Sequence, residues 1–329
     1  MTEPSTVRTE VRRDDRPRYD GAGQFPDDRV PESTGATSMR IGVTVALVLG
    51  PFLGLLIAAW LAFGRAFTLT DLALAACFYL VTGLGVTLGY HRGVTHGSFR
   101  TKRPLTLMLT LAGSMAFQGN VVTWVATHRR HHAFTDRPGD PHSPYRYGTG
   151  LRAQLRGLLH AHMGWFLRND PTPAERYAPD VVGDPMMRRV AKAFPAMCVV
   201  SLALPFLVGY AVTRDLRGAF TALIWAGLAR VALLQHVTWS VNSLCHMVGD
   251  RPYPTRRFDR ATNLWPLAVL SLGESWHNGH HSDPSCARHG RGRHQVDISA
   301  ATLRIFERLG WVNDVHWPDS PGRASPHRT

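Results

Sequence analysis

The stretch LALAACFYLVTGLGVTLGYHRGVTH, residues 72–96, decides how the chain is read. From Leu72 to Tyr90 it carries no charge, and then it passes directly into His91-Arg92-Gly93-Val94-Thr95-His96. A run of roughly 20 apolar residues is what a helix needs to cross the hydrocarbon core of a bilayer. The sequence therefore predicts a spanning helix that delivers a histidine where it leaves the membrane. Upstream, Ile41 to Phe63 is also uncharged and is separated from this span by the short connection Gly64 to Asp71, so the two form a hairpin. Downstream, Ala193 to Thr213 is a third uncharged span, and the turn Arg214-Asp215-Leu216-Arg217 leads into a fourth, Gly218 to Cys245. The fourth contains Arg230, His236 and Asn242. Ionisable groups in a span are costly and face a bundle interior or water, so its second half is read as the lining of a site. The fold class is an all-α integral membrane protein of four spans in two hairpins. A soluble protein with buried core helices would not need three charge-free runs of this length.

Charge sets the orientation. The short turns carry Arg65, Arg214 and Arg217, whereas the other side carries Arg92, Arg100, Lys102, Arg103, Arg129, Arg130, Arg188, Arg189, Lys192, Arg251, Arg256, Arg257 and Arg260. The positive-inside rule places that second side, with both termini, in the cytoplasm. The formal net charge of +13 comes almost wholly from arginine, since lysine occurs only at 102 and 192. Next to long apolar runs, such a balance points to membrane lipid and not to nucleic acid. Cys77, Cys198, Cys245 and Cys286 form no CxxC pair and read as free thiols. No iron–sulfur spacing or dinucleotide fingerprint occurs, so no redox module of the chain's own is expected.

Three histidine blocks fall on the basic side: His91 and His96, then His128, His131 and His132, then His277, His280 and His281. The last two share the pattern HxxHH, which on a helix would point three imidazoles at one spot. The first spaces its histidines five apart, off a single α-helical face, so a helix is expected to end inside it with His96 just beyond. Eight imidazoles exceed the needs of one four-coordinate zinc, and two metal ions in a nitrogen-rich site fit better. A histidine-rich metal transporter would instead spread its histidines through the spans, with carboxylates along a path.

Between these landmarks, residues 1–38 read as a disordered tail without a signal-peptide pattern, and residues 39–316 as the folded domain. Pro104 to Gln118 is too short to span and reads as a buried or interfacial helix. Residues 169–189 read as a surface connection, Asp297 to Trp311 as an amphipathic helix on the cytosolic cap, and 317–329 as a second disordered tail.

In this order and topology, HRGVTH, HRRHH and GESWHNGHH with Asp297 beyond it resemble the membrane fatty acyl desaturases, most closely the stearoyl-CoA (delta-9) group. Phe117-Gln118, DPH at 140–142, HMGW at 162–165 and TWSVNSLCHMVGDRPY at 238–253 strengthen the resemblance, which covers about residues 85–315. It implies two iron ions (Fe2+) held by the eight block histidines with His246, and with Asn242 through a water. Asn242 and His246 are four apart, as one helical face requires. It also implies O2 as co-substrate and insertion of a cis double bond into a saturated acyl chain, acyl-CoA first among carriers. Acyl carrier protein and lipid-bound chains are the alternatives. A separate electron donor, of the ferredoxin, flavin-reductase or cytochrome b5 kind, follows because none is fused here. A hydroxylase or alkane monooxygenase could use the same ligand set.

The resemblance also assigns a substrate tunnel. Gln118, Trp124 and Thr238 match its kink, Trp239 a position near the acyl carbonyl, and Tyr79 and Gly83 its closed end. Arg188, Arg189 and Lys192 match a basic cluster near the nucleotide of CoA. Core packing is the plainer reading of Tyr79, Trp124 and Trp239. Glu274, three before His277, is read as a carboxylate orienting a ligand imidazole, with helix capping as its plainer role. His142 and His162 match family positions outside the metal shell, His236 has no ligand role there, and His289, His294, His316 and His327 read as surface residues. The chain departs from the acyl-CoA pattern at two places. Ala126 and Thr127 stand where that group has Arg-Asp, and Gly119-Asn120 where it has Asn-Asp.

Overall fold

A computed structural model describes residues 34–64, 67–148, 150–168 and 170–318. Arg65, His327, residues 1–33 of the expected first tail and 319–329 of the second lie outside the described residues. Four helices are long and apolar enough to cross a membrane: Ile41–Phe63, Leu69–Thr95, Pro185–Thr213 and Leu216–His246. The first continues helix α1 (Thr34–Phe63), so helix reaches back into the expected tail. The second joins α2 (Leu69–Leu84) to a wide-turn helix, Gly85–Thr95. Thr68 and Asp71 cap α2 reciprocally, each side chain taking the other's backbone N–H, which starts the helix sharply after the turn.

The third span is longer than its apolar run. Helix α8 (Pro185–Thr213) starts within the stretch expected to be connection, because Asp184 accepts the Met186 N–H and proline occupies the first turn. Two short helices, α6 (Ala174–Tyr177) and α7 (Pro179–Gly183), lead into it. The fourth span runs from α9 (Leu216–Ala222) through a wide-turn segment, Leu223–Ala229, into α10 (Arg230–Ser243) and a tight turn, Leu244–His246. Only 17 % of the first and of the third apolar window is buried, against 39 % of the second and 56 % of the fourth. The second and fourth spans are therefore the inner pair, and they carry His91, Asn242 and His246.

Helix α3 (Arg103–Ser114) is the expected short apolar helix, and it lies directly on the wide turn of the second span. The approach needs glycine: a Cβ on Gly85 would sit 2.2 Å from the Gly113 nitrogen. Arg230, buried in the fourth span, donates to the Ala226, Met115 and Ser201 carbonyls and to the Thr82 and Ser201 hydroxyls. Its hydrogen bonds all go to protein oxygens, so the charge clasps α2, α8 and the end of α3 to the fourth span and does not line the histidine site.

The cap at the histidine-bearing end comprises α4 (Val121–Phe134), α5 (Leu151–His162), α11 (His277–Ser282) and α12 (Ile298–Arg308). The expected amphipathic helix is α12, capped by Asp297, with Leu303 buried beside Leu88, Phe99, Leu109 and Val312. A two-residue pair, β1 (Arg100–Thr101) with β2 (Val312–Asn313), ties its C-terminal end back to the exit of the second span.

Candidate metal centre

The nine histidines expected as ligands converge, in two groups: His91, His96, His128, His132 and His280, and His131, His246, His277 and His281. In each group the side-chain nitrogens lie within 4.8 Å of one another. The structure corrects the expectation that each HxxHH block aims at one point. On α4 the i, i+4 pair His128 and His132 joins the first group while His131 turns to the second. On α11 the pair His277 and His281 joins the second group and His280 the first. Residues four apart stack along a helix face, whereas i+3 leans to the other side of it. The blocks thus exchange their middle histidines.

In the first block the helix ends as expected, at Thr95 with His96 just beyond, but the two histidines do come to one face. The His96 N–H donates to the His91 carbonyl at 3.1 Å, an i→i+5 bond. That wider turn brings a residue five positions on back over its predecessor, and the two rings lie 4.9 Å apart. At the other end of the site, His246 sits on the tight turn after α10, so Asn242 and His246 do not share a regular α-helical face.

Buried carboxylates hold the outer nitrogens. His91 Nδ1 meets Glu274 at 2.5 Å, His131 Nδ1 meets Asp140 at 3.0 Å, His246 Nδ1 meets Asp136 at 2.8 Å, and His281 Nδ1 meets Asp259 at 2.8 Å. Glu274, singled out in the sequence, lies against His91, and the helix that follows it has no side-chain cap. The three aspartates were missed. Asp136 and Asp140 follow the second block by four and eight residues, a spacing that could have flagged them, while Asp259 carried no local signal. Asp136 is held in the left-handed region, φ 57°, and takes the Arg260 N–H and the Ser143 hydroxyl as well as His246.

This pattern fixes tautomers and tests whether a metal fits. A neutral imidazole has one donor nitrogen and one acceptor. His131 and His281 each turn Nδ1 to a carboxylate and Nε2 to the other, 3.4 Å apart, so in their neutral form they would present facing lone pairs. The Nε2 atoms of His246 and His277 lie 3.1 Å apart, and His280 Nε2 meets both His132 at 2.9 Å and His91 at 3.1 Å. Among the described residues, His96 Nε2, His277 Nδ1 and His280 Nδ1 are buried without a hydrogen-bond partner. Burial, reinforced by neighbouring histidines, drives His96, His128, His132, His277, His280 and His281 well below the usual imidazole range. Converging neutral lone pairs with carboxylates behind them are a donor set for divalent cations.

His289 corrects the surface reading. It is fully buried, its Nδ1 lies 3.4 Å from Glu274, and its ring is 4.5 Å from that of His280. Burial, and then the Arg92 guanidinium, push it down to about 4. Burial alone would raise Glu274, but His91, Arg92 and His289 hold it well below the usual carboxylate range. His142, as expected outside the two groups, stacks on His131 at 4.4 Å. His162 and His236 pair with each other at 3.0 Å, away from the cluster. His294 is exposed, and half-buried His316 bonds through its backbone to Ser98 and Ala287.

Cavities reach the cluster at different rings. An apolar cleft is lined by His91, His128, His277, Glu274 and Asn242, with Val86, Leu234, Val237, Val241 and Leu272 as walls. Of the expected substrate residues, Gly83, Trp124 and Thr238 line it, and Trp124 stacks on His128 at 4.9 Å. Tyr79 stands outside the lining and donates to the Leu270 carbonyl at 2.6 Å. Trp239 is buried among His162, Phe166 and His236, and half-buried Gln118 also lies off the lining. Arg188 caps α7 through the Val182 and Gly183 carbonyls, while Arg189 and Lys192 are exposed along the first turns of α8. His96, His132 and His281 line a second cavity together with the charged residues Arg129, Arg256 and Arg291.

Comparison with known proteins matches this arrangement to a family. A hex-5-enoyl-[acyl-carrier protein] acetylenase of Moorena producens is 33 % identical over 82 % of this chain and 84 % of its own length. An sn-1 stearoyl-lipid 9-desaturase of Anabaena variabilis is 36 % identical over 82 % of this chain and 92 % of its own. An acyl-CoA C20 Delta5-desaturase of Anemone leveillei is 34 % identical over 74 % and 73 %. A family model described as fatty acid desaturase matches residues 66–304, which include every histidine of both groups, and the chain belongs to the fatty acid desaturase family.

Proposed function

We propose that the protein is an O2-dependent acyl desaturase that places a cis double bond in a saturated chain, delta-9-like in position, at a pair of irons. The two histidine groups with Asn242, through a water, are the ligand set. The observation that carries this reading is the meeting of nine converging imidazoles, four of them backed by carboxylates, with an apolar cleft at His91, His128 and His277. Bound iron would supply the O2 activation that no side chain can. The protein's own part is position. The cleft holds a hydrocarbon against those rings, Trp124 and Thr238 shape it there, and Gly83 opposite Leu272 narrows its far end, where a Cβ would lie 2.7 Å from the leucine. Tyr79, bonded to Leu270 behind that end, limits chain length from outside the lining. The reaction needs an external donor for two electrons, and the arginine excess places site and termini on the cytoplasmic side.

For the acyl carrier, CoA is the sequence-based reading, with Arg189 and Lys192 as its exposed contacts. A lipid-bound chain is favoured by Ala126 and Thr127, which are buried where the acyl-CoA pattern has a charged pair. Expression in a host lacking unsaturated fatty acids, followed by mass spectrometry of lipid and thioester pools, tests both. Loss of two mass units from an acyl chain supports desaturation, and gain of oxygen would replace it with hydroxylation. Metal accumulation with no acyl product would point to a transporter.

A further inference from the structure

The cavity at His96, His132 and His281 opens beside a loop whose exposed residues Arg257 and Phe258 serve neither the ligand set nor the cleft. Residues 251–259 are pre-shaped: Arg251 donates to the Asp259 carbonyl and to the Thr255 hydroxyl, and the Asp259 N–H closes a turn on the Arg256 carbonyl. On this frame Phe258 stands 52 % exposed, with the Arg257 guanidinium over its ring at 5.4 Å. A shallow depression between His132 and Phe258 is walled by Arg137, Arg256 and Arg257. The next residue, Asp259, is 4 % exposed and bonds His281 Nδ1 at 2.8 Å, and Arg256 donates to the His132 carbonyl at 3.0 Å. Phe258 is therefore one peptide bond, one carboxylate and one hydrogen bond from a histidine of the centre. An exposed aromatic ringed by arginine is the composition of a protein-binding hot spot.

We propose that the Arg256–Arg257–Phe258 loop is the docking surface for an acidic one-electron carrier protein, and that Asp259 and His281 form its electron entry. The inference rests on the proposed metal centre. The arginines fit a carrier of opposite charge, which they would steer to this face. The acyl chain approaches other rings, His91, His128 and His277, so a carrier can dock while substrate is in place. Each docking delivers one electron and releases an oxidised carrier. Two electrons and two protons, with the two hydrogens taken from the acyl chain, convert one O2 to two waters.

The test uses the full-length, iron-loaded protein in lipid nanodiscs and two probes, an acidic plant-type [2Fe–2S] ferredoxin and an acidic cytochrome b5 haem domain. At about 50 mM salt at least one probe binds, and binding weakens toward about 300 mM. Arg257→Glu raises the Kd of that probe about tenfold and Phe258→Ala about fivefold. Iron content and dithionite-driven turnover stay at the wild-type level in both variants, and KM for the carrier rises while kcat holds. Failure of both probes to bind, unchanged Kd in both variants, or loss of iron alongside binding would overturn the proposal. Arg257-dependent binding without any acyl product would leave the docking surface standing and sink the proposed reaction instead.

Discussion

Helices α4 and α11 carry the same HxxHH pattern on very different supports. The first is a 14-residue helix with its own N-cap, Asn120, whose side chain accepts the Thr123 N–H. The second is a six-residue helix without a side-chain cap. It stays in place because Asn278, fully buried, bonds both the N–H and the carbonyl of Tyr253, and because Asn263 accepts the Gly279 N–H. A short isolated helix has little stability of its own. One block is thus set by local helix structure and the other by loops that reach it from elsewhere in the chain. Each still sends two histidines to one group and one to the other, so identical spacing, not identical scaffolding, sets the exchange.

The strongest way to break this symmetry is to remove an exchanged histidine. His131→Ala and His280→Ala each delete the one ring a block gives to the other block's group, and each is expected to abolish double-bond formation and lower bound iron, measured by product analysis and metal content. Full activity in either variant would remove that block from the ligand set. Next comes the carboxylate behind a ring: Asp140→Asn on the α4 side and Asp259→Asn on the α11 side are expected to weaken metal binding about 10- to 100-fold, read by competition with a chelator. Asn278→Ala strips two bonds from the Tyr253 backbone and should cost about 2 kcal/mol or more, visible as easier loss of metal on heating. The smallest effect belongs to Asn120→Ala, about 1 kcal/mol, with metal content unchanged. If Asn120→Ala cost more metal than Asn278→Ala, the contrast between local and imported support would be wrong.

The sequence by itself determined the spans, because a bilayer demands a run of apolar residues that is countable without coordinates, and it determined the converging histidines, because their spacing is local and their order matches a family. Tertiary structure decided how those rings are shared. The partition depends on two helices meeting from different directions, on a wide turn at His91 that widens the helical period, and on carboxylates such as Asp259 that lie 22 residues from the ring they hold. His289 shows the same limit. Nothing next to it in sequence marks it, yet Arg92 and Glu274, 197 and 15 residues away, bury it against the centre. Periodicity reports which way a side chain leaves its own helix, and only packing decides what it meets there.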